Sequence, residues 1–223
     1  MSGVAREIWP LAYRLYRFSR WVKNGVIDKV FNTLHEAFNV TIVLSLDNTF
    51  VKAHPDGTGC QKNGPHSIGE TRGGKNTKIH AIVANEKAIV LFHLSRANLN
   101  DAQQGRSLIG KLGRQYRNSF VLMHKAYEGT QTRQAVLDKG MIPVVLPKSN
   151  RQTPWEYDKT LYRRRNEVEP FFLRLKVNRR IFTRYDKPDT TYNAFIQLAL
   201  VRDFLRKSVN KPYRYKVPFD NII

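Results

Sequence analysis

Hydrophobic residues alternate along the chain between helical and strand-like spacing, and this pattern predicts a mixed α/β fold. Apolar positions three or four apart predict a helical segment over 8–38. Short runs rich in β-branched residues predict strands at 41–46, 78–84, 88–94, 119–123 and 141–146. Helical spacing returns at 102–112, 129–139, 159–177 and 191–208. Three adjacent strands followed by alternating helix and strand indicate a mixed sheet with helices packed on it.

Turn-forming and capping residues divide these elements from one another. Residues 54–76 are rich in glycine and polar residues and predict a long loop. Asp101, with Gln104 three residues later, predicts a capping box at the start of a helix. Residues 147–158 predict a linker. We therefore divide the chain into an N-terminal helical segment, a central α/β domain and a basic C-terminal tail, at 1–40, 41–208 and 209–223.

Composition and charge indicate a polyanionic partner. The chain has 223 residues and a formal charge of +20 at pH 7, with 41% hydrophobic residues. That apolar content is enough to form a core, which excludes a disordered basic tail. Self-repulsion of this size is tolerated most easily where phosphates neutralise it. DNA or RNA is therefore the first candidate partner, and an anionic membrane surface is the second.

Cysteine content and the length of the apolar runs narrow the class of protein. Cys60 is the single cysteine, which excludes an internal disulfide framework and a cysteine-rich zinc module. The apolar runs fall far short of the roughly 20 residues that span a bilayer. The N-terminal sequence has no apolar signal region. These patterns predict a cytoplasmic protein with no membrane role.

One predicted helix carries a candidate chemical site. Tyr162, Arg165, Glu169 and Lys176 follow the spacing Y-x2-R-x3-E-x6-K. In a regular helix these four side chains lie within one arc of about 60°. A single carboxylate would then be flanked by two cations and a phenol. The simpler interpretation is a solvated helix face with an ion pair between residues four apart, which is common.

This spacing resembles the Y-R-E-K signature of bacterial insertion-sequence transposases of the DDE type. Two further segments are similar to the same family: SLDNTFVKAH to its first acidic strand, and IGETRGGKNTKIHAIVA to its glycine-rich approach to the second strand. The segment NEVEPFFLRLKVNRRIFTRYDK is similar to its third catalytic segment almost throughout. The resemblance covers roughly residues 10–205. It implies an RNase H-like mixed sheet flanked by helices, preceded by the N-terminal helical segment.

The resemblance also implies a set of site residues. Asp47 would be the first metal-binding acid and Glu169 the third, in a site for two Mg²⁺ (or Mn²⁺) ions. Arg165 and Lys176 would hold DNA phosphates or the glutamate, and Tyr162 would orient the strand being cut. Nine Lys and Arg residues against three acids between 161 and 187, including a pair at 179–180, predict salt-sensitive DNA binding.

The second acid of the family pattern is missing. His124 stands where the resemblance places the second metal-binding aspartate, and Glu128, four residues later, is expected to lie too far along to replace it. A neutral imidazole suits Zn²⁺ or Ni²⁺ better than Mg²⁺. Pro170 directly follows Glu169 and predicts a kink in the helix. We also expect Arg179 and Arg180 to point toward solvent or DNA.

These observations give three functional hypotheses. The first is a DNA transposase whose Mg²⁺-dependent hydrolysis and strand transfer are impaired by His124. The second is a non-catalytic DNA-binding remnant or domesticated protein, and the third is a basic RNA-binding protein. For the first two, the expected partners are element ends and target DNA, with a homo-oligomer assembled on DNA near the nucleoid. The short region before Asp47, 46 residues, suggests a truncated recognition segment.

Overall fold

The N-terminal part of the chain folds as two helices that pack toward the C-terminal helix. The computed structural model describes residues 10–36, 42–58, 66–85 and 88–210. Helix α1 (Leu11–Lys23) and helix α2 (Val26–Glu36) are separated by Gly25, whose φ of 64° suits glycine. On α2, Ile27 and Phe31 are buried, whereas no described residue of α1 is. The predicted helical segment is therefore present, but its first half has little core contact.

A seven-stranded mixed sheet forms the centre of the molecule. Its strands are β1 (Val43–Ala53), β2 (Gly69–Thr71), β3 (Gly74–Asn85), β4 (Ala88–Arg96), β5 (Phe120–Met123), β6 (Ile142–Val145) and β7 (Thr183–Arg184). Strand β1 is central, antiparallel to β3 and parallel to β5, and β6 continues the parallel side. Strands β4 and β2 both pair with β3. This order, an antiparallel meander joined to parallel strands, is the predicted RNase H-like arrangement.

Helices cover both faces of the sheet. The remaining helices are α3 (Asp101–Gly110), α4 (Thr130–Asp138), α5 (Lys159–Arg163), α6 (Val168–Lys176), α7 (Arg179–Phe182) and α8 (Asp189–Asn210). Alternate residues of β3 enter different cores, because successive strand side chains point to opposite faces. Ile79 and Ala81 pack with residues of α6 and α8, whereas Ile82 packs with residues of α3 and α4. The central strands are thus buried on both sides.

Three predictions of local structure are wrong. Strand β1 does not end at Leu46 but continues to Ala53, because its pairing with β3 runs on past Asp47. The predicted loop at 54–76 contains β2 and the start of β3; the glycines there form a hairpin in which Gly74 has a φ of 93°. The cap of α3 is Asn100, whose side chain accepts the Ala102 N–H, rather than Asp101.

The predicted helix over 159–177 is interrupted. Helix α5 is followed by a tighter 3-10 turn (Arg164–Glu167) before α6 begins. Pro170 lies in the first turn of α6, where a missing N–H costs least because no intrahelical partner exists. The irregularity therefore precedes Pro170 instead of following it, and it alters the regular helical spacing from which the common face was predicted.

Arg184 is fully buried, although the sequence analysis counted it among the residues available to DNA. Its guanidinium donates to Asp189 Oδ1 (2.7 Å), Thr77 Oγ1 (3.0 Å) and two backbone carbonyls. The ring of Tyr192 lies 4.9 Å from the guanidinium carbon. Arg184 is therefore a structural residue that joins β3, β7 and the start of α8.

We expect Arg184→Ala to lower the free energy of unfolding by about 3–5 kcal/mol, because it leaves a buried network without its cation. For a chain of this size the melting temperature should fall by about 10 °C, measured by circular dichroism. Arg202→Ala, which removes the exposed pair with Asp203, is the matched control and should change stability by about 0.5 kcal/mol or less. Equal effects of the two substitutions would contradict the structural role of Arg184.

In the described part of the chain, no helix is both long and apolar enough to cross a membrane. The predicted basic tail at 209–223 lies almost entirely outside the described residues, apart from the last two residues of α8.

Candidate active site

Asp47 lies where the sheet opens. The parallel pairing of β1 with β5 ends at Leu46, opposite Met123, and β1 pairs on the same side again only at Lys52, with β7. Between these points the β5-side edge of β1 has no strand neighbour among the described residues. The 3-10 turn that precedes α6 packs near this opening. The opening therefore exposes a central-strand carboxylate to residues of the Y-R-E-K segment.

Arg165 joins the two predicted acids. Its guanidinium donates to Asp47 Oδ2 at 2.9 Å and to Glu169 Oε1 at 3.2 Å. It also donates to the side-chain oxygen of Asn166 at 2.9 Å. The Arg165 and Asp47 side chains are mostly buried, whereas the Glu169 side chain is 60% exposed. The structure thus brings together three residues that are 118 and four positions apart in the chain.

The electrostatic environment of Asp47 favours a nearby cation. Burial raises the pKa of its carboxyl group, and the negative charge of Glu169 acts in the same direction. The backbone N–H of Asn48 (2.8 Å), His124 and Arg165 oppose this rise. Because the effect of burial is larger, the pKa is raised overall. An ionised Asp47 therefore depends on positive charge in the opening.

His124 follows β5 directly beside Asp47. Met123 pairs with Leu46, so the next residue of each strand, His124 and Asp47, lies at the same end of the parallel pair. His124 Nδ1 accepts the Ala126 N–H at 3.3 Å, which caps a short 3-10 turn. The structure thus places His124 next to Asp47 at this end of the sheet, and its correspondence to the second acid stays a prediction.

Glu128 does not share this position. Its side chain is only 3% exposed and accepts a hydrogen bond from Arg151 at 2.7 Å, with Lys148 at 4.0 Å. Glu128 therefore faces the segment that follows β6, where its charge is neutralised by two basic residues.

The other predicted DNA-contacting residues lie at different distances from the opening. Tyr162 packs edge-on against Tyr157 (5.5 Å between ring centres) and lies close enough to Arg165 to hydrogen-bond with it. Lys176 is seven residues beyond Glu169, about 10 Å further along α6. Burial lowers the pKa of Lys176. Lys176 thus lies at some distance from the carboxylates, and its contact with a DNA phosphate stays a prediction.

Arg179 and Arg180 differ in their surroundings. Arg179 is exposed on the short helix α7. Arg180 donates to Asp186 at 3.1 Å, and its guanidinium carbon lies 4.4 Å from the ring centre of Phe195. Arg180 therefore has a structural contact that the sequence analysis did not predict, while about half of its side chain stays exposed.

The sequence analysis also did not predict a row of hydrogen-bonded side chains that begins at Asn48, next to Asp47. Asn48 donates to Tyr127 Oη (2.9 Å), which lies 3.3 Å from His80 Nδ1. His80 Nε2 lies 2.8 Å from Ser95 Oγ, and that hydroxyl donates onward to a backbone carbonyl. Burial lowers the pKa of His80 to about 3, so the ring is neutral. The only sequence signal was a histidine within an apolar strand, which is more often a satisfied core residue.

The residues at the opening do not fit an intact site for two Mg²⁺ ions. In the ranges that the structure describes, no group of three or more His, Cys, Asp or Glu side chains is arranged to hold a metal. Two dications require several charged oxygen ligands. Here Asp47 and Glu169 already share one guanidinium, and the third position offers a nitrogen of His124.

A comparison with family models places the chain in a class of transposase domains. The family model of the transposase DDE domain matches residues 39–204, about three quarters of the chain. The protein therefore belongs to the transposase DDE domain family. No curated protein resembles the chain closely enough in sequence to count as a match.

Several solved transposase structures are similar to this chain. A piggyBac transposase synaptic complex with hairpin DNA has a TM-score of 0.49 and 10% identity, over 81% of this chain and 50% of that one. A pre-cleavage Mos1 transpososome has a TM-score of 0.33 and 11% identity, over 94% and 66%. The Mos1 mariner paired end complex with Mn has a TM-score of 0.37 and 13% identity, over 96% and 68%. The chain thus spans half of the piggyBac protein and about two thirds of the Mos1 protein.

Proposed function

We propose that this protein is a DNA-binding, transposase-type protein in which Mg²⁺-dependent phosphodiester hydrolysis and strand transfer are impaired. The observation that carries the proposal is the meeting of Asp47, Arg165 and Glu169 at the open edge of β1, with His124 in the place of a third acid. The family match supports the reaction class. The histidine supports the impairment, because it removes one negative charge and one hard oxygen ligand.

The residues of the site have separate roles in this proposal. A divalent metal, when bound, would supply Lewis-acid chemistry at a phosphodiester, with Asp47 and Glu169 as its oxygen ligands. Arg165 orients both carboxylates through its two hydrogen bonds. Tyr162, near Arg165, and Lys176, about 10 Å further along α6, would position the DNA strand. We propose Arg179 and Arg180 as further phosphate contacts.

The proposed partner is DNA, both as element ends and as target. The charge of +20 supports a phosphate-dominated interface. We propose that the segment 1–40 assists DNA recognition, that residues 41–208 form the catalytic domain and that the basic tail at 209–223 adds non-specific contacts. Assembly as a homo-oligomer on DNA, in a bacterial cytoplasm and near the nucleoid, completes the proposal.

A second candidate is a DNA-binding protein with no catalytic activity. It is favoured by one observation, that a guanidinium already neutralises both carboxylates in the opening. The two candidates make the same prediction for binding and differ in residual cleavage.

Binding and nicking assays on the full chain test the proposal. We expect tight binding to duplex DNA by fluorescence anisotropy, weaker competition by RNA of equal length, and slow nicking of supercoiled plasmid in Mg²⁺ or Mn²⁺. Asp47→Asn should remove any nicking without weakening DNA binding. If neither the unmodified protein nor Asp47→Asn nicks the plasmid in Mg²⁺ or Mn²⁺, the result would favour the non-catalytic candidate. Preference for RNA would overturn both.

A further inference from the structure

The outer edge of the sheet at β4 is long and uncharged. Among the described residues β4 pairs only with β3, so its other side has no strand partner there. The pairing is irregular near the hairpin and regular along 91–96, which lie opposite 77–82. No Asp, Glu, Lys, Arg or Pro occurs from Ala88 to Ser95. Burial lowers the pKa of His93, so its ring is neutral at pH 7. The edge therefore presents backbone N–H and C=O groups with no charged side chain between them.

The other edges of the described sheet are protected against pairing. Strand β6 has four residues, one of which is Pro143, a residue without an N–H to donate. Strand β2 has three residues and carries Glu70. Natural proteins keep edge strands short or place prolines and charges on them, because a long apolar edge pairs with other chains. Apart from the irregular pairing near its hairpin, β4 has none of these protections, so we expect a partner for this edge.

Helix α2 extends the apolar surface beside this edge. Phe31 packs edge-on against Phe92 of β4, with 6.1 Å between ring centres, so α2 lies over this side of the sheet. Asp28 accepts a hydrogen bond from a glutamine of α8 at 2.6 Å, which places α8 along one side of α2. At 100° per residue, Val26 and Val30 lie about 160° around the helix from Asp28. The two valines, 38% and 45% exposed, therefore face away from α8, toward the sheet edge.

We propose that this edge is the contact surface between two copies of this chain, in which the two β4 strands pair antiparallel and the two α2 helices pack beside them. The inference rests on one part of the proposed function, assembly as a homo-oligomer. Identical edges that meet around a two-fold axis are antiparallel and self-complementary. The contact continues the sheet from one copy into the other and buries Val26 and Val30 of both.

Charge distinguishes a second copy from other occupants. Each chain carries +20, so two copies repel each other wherever their basic surfaces meet. At the uncharged edge they can meet without that repulsion. The same lack of cations disfavours DNA, whose phosphates are bound by lysine and arginine. The contact also leaves the opening at Asp47 free, because β3 separates β4 from β1 and the opening is on the far side of β1.

Sedimentation equilibrium of the full chain without DNA, over about a hundredfold range of concentration, tests this inference. We expect a reversible dimer. Val30→Lys should weaken the dimer at least about tenfold, because the two-fold axis brings two added charges into one apolar contact. Leu137→Lys is the matched control, since it adds the same charge at an exposed leucine of α4, beside β6 at the other end of the sheet. It should leave the dimer unchanged.

Hydrogen exchange locates the contact. Backbone amides of β4 should exchange about tenfold more slowly when the protein is concentrated enough to dimerise, and Val30→Lys should lose this effect. A dimer whose formation leaves these amides unchanged overturns the inference, since the contact is then elsewhere. Full protection of the same amides in a monomer also overturns it, because a segment of the same chain then covers the edge. A chain that stays monomeric at every concentration overturns it as well.

These outcomes are separate from those of the proposed function. If the unmodified protein stays monomeric yet binds and nicks DNA, the edge inference alone fails. If it dimerises through β4 but does not bind DNA, the proposed reaction fails and the edge contact stands. Circular dichroism of Val30→Lys and Leu137→Lys checks that both variants fold, which we expect because both side chains are exposed.

Discussion

His124→Asp is expected to increase Mg²⁺-dependent nicking of supercoiled plasmid by about 10²-fold or more. The substitution adds one negative charge and one hard oxygen ligand beside Asp47, at the end of the adjacent parallel strand. Groups that stabilise charge in the transition state typically contribute about 10²–10³-fold to a rate. DNA binding should change little, because the residues proposed to contact phosphates lie elsewhere. The measurement is the initial rate of plasmid relaxation on a gel, with the cognate element ends supplied.

The chain offers a close control for this substitution. His54 also accepts, through Nδ1, a backbone N–H two residues later at 3.3 Å, and it also caps a 3-10 turn. His54→Asp therefore makes the same chemical change at another cap and should leave nicking unchanged. Adding Asp47→Asn to His124→Asp should abolish the gained activity. If His124→Asp nicks no faster than the unmodified protein, the second metal ligand is not at the position of His124. The same conclusion follows if the unmodified protein already cleaves DNA well and Glu128→Gln abolishes that cleavage.

DNA affinity is expected to fall by about 10³–10⁵-fold between 50 and 200 mM salt, if six to ten phosphates are neutralised. The exposed cations that could do this are spread over several elements, including Arg14 and Lys23 on α1, Arg163 on α5, Arg179 on α7 and Lys125 in the turn after β5. Each phosphate contact contributes about 0.9 to the slope of log affinity against log salt. Anisotropy titrations at a series of salt concentrations measure this slope. An affinity that barely changes would contradict a phosphate-dominated interface.

The neighbouring arginines on α7 provide an internal comparison for this slope. Arg179→Ala should reduce it by about one and leave stability unchanged, because Arg179 is exposed. Arg180→Ala should lower the melting temperature as well, since Asp186, 7% exposed, would lose its hydrogen bond from Arg180 at 3.1 Å. If neither substitution changes the slope, α7 is not part of the DNA interface.

Periodicity predicted the elements whose geometry is regular. The run at 78–84 indicated a strand, and the structure places alternate residues of it in two cores. The long helix predicted at 191–208 is present as α8, two residues longer at each end. These elements could be predicted because each depends on a local spacing of apolar residues.

Other features depend on contacts between residues that are distant in the sequence, so they could not be predicted from short stretches of it. The strand through Asp47 continues because β3 pairs with it, and the 3-10 turn carries Arg165 toward a carboxylate 118 positions away. Arg184 resembled a surface residue because a basic side chain is usually exposed. Its burial depends on Asp189 and Thr77, which the fold brings together. The resemblance to a family predicted Asp47, His124 and Glu169 as site residues, but it gave no sign of the buried polar chain from Asn48 to Ser95.

The network around Arg184 has a consequence for the length of the chain between β1 and β2. The Arg184 carbonyl accepts the His54 N–H at 2.8 Å, and Asp189, its ion-pair partner, accepts both polar hydrogens of Ser67 at 2.8 Å. Both ends of this connection are therefore fastened to one point at the start of α8. Lengthening a connection whose ends are fixed costs only loop-closure entropy, about 0.6 kcal/mol for each doubling. A reporter peptide inserted between Thr58 and His66 should therefore cost the sheet little, because His54 and Ser67 on either side are each held by their own contacts.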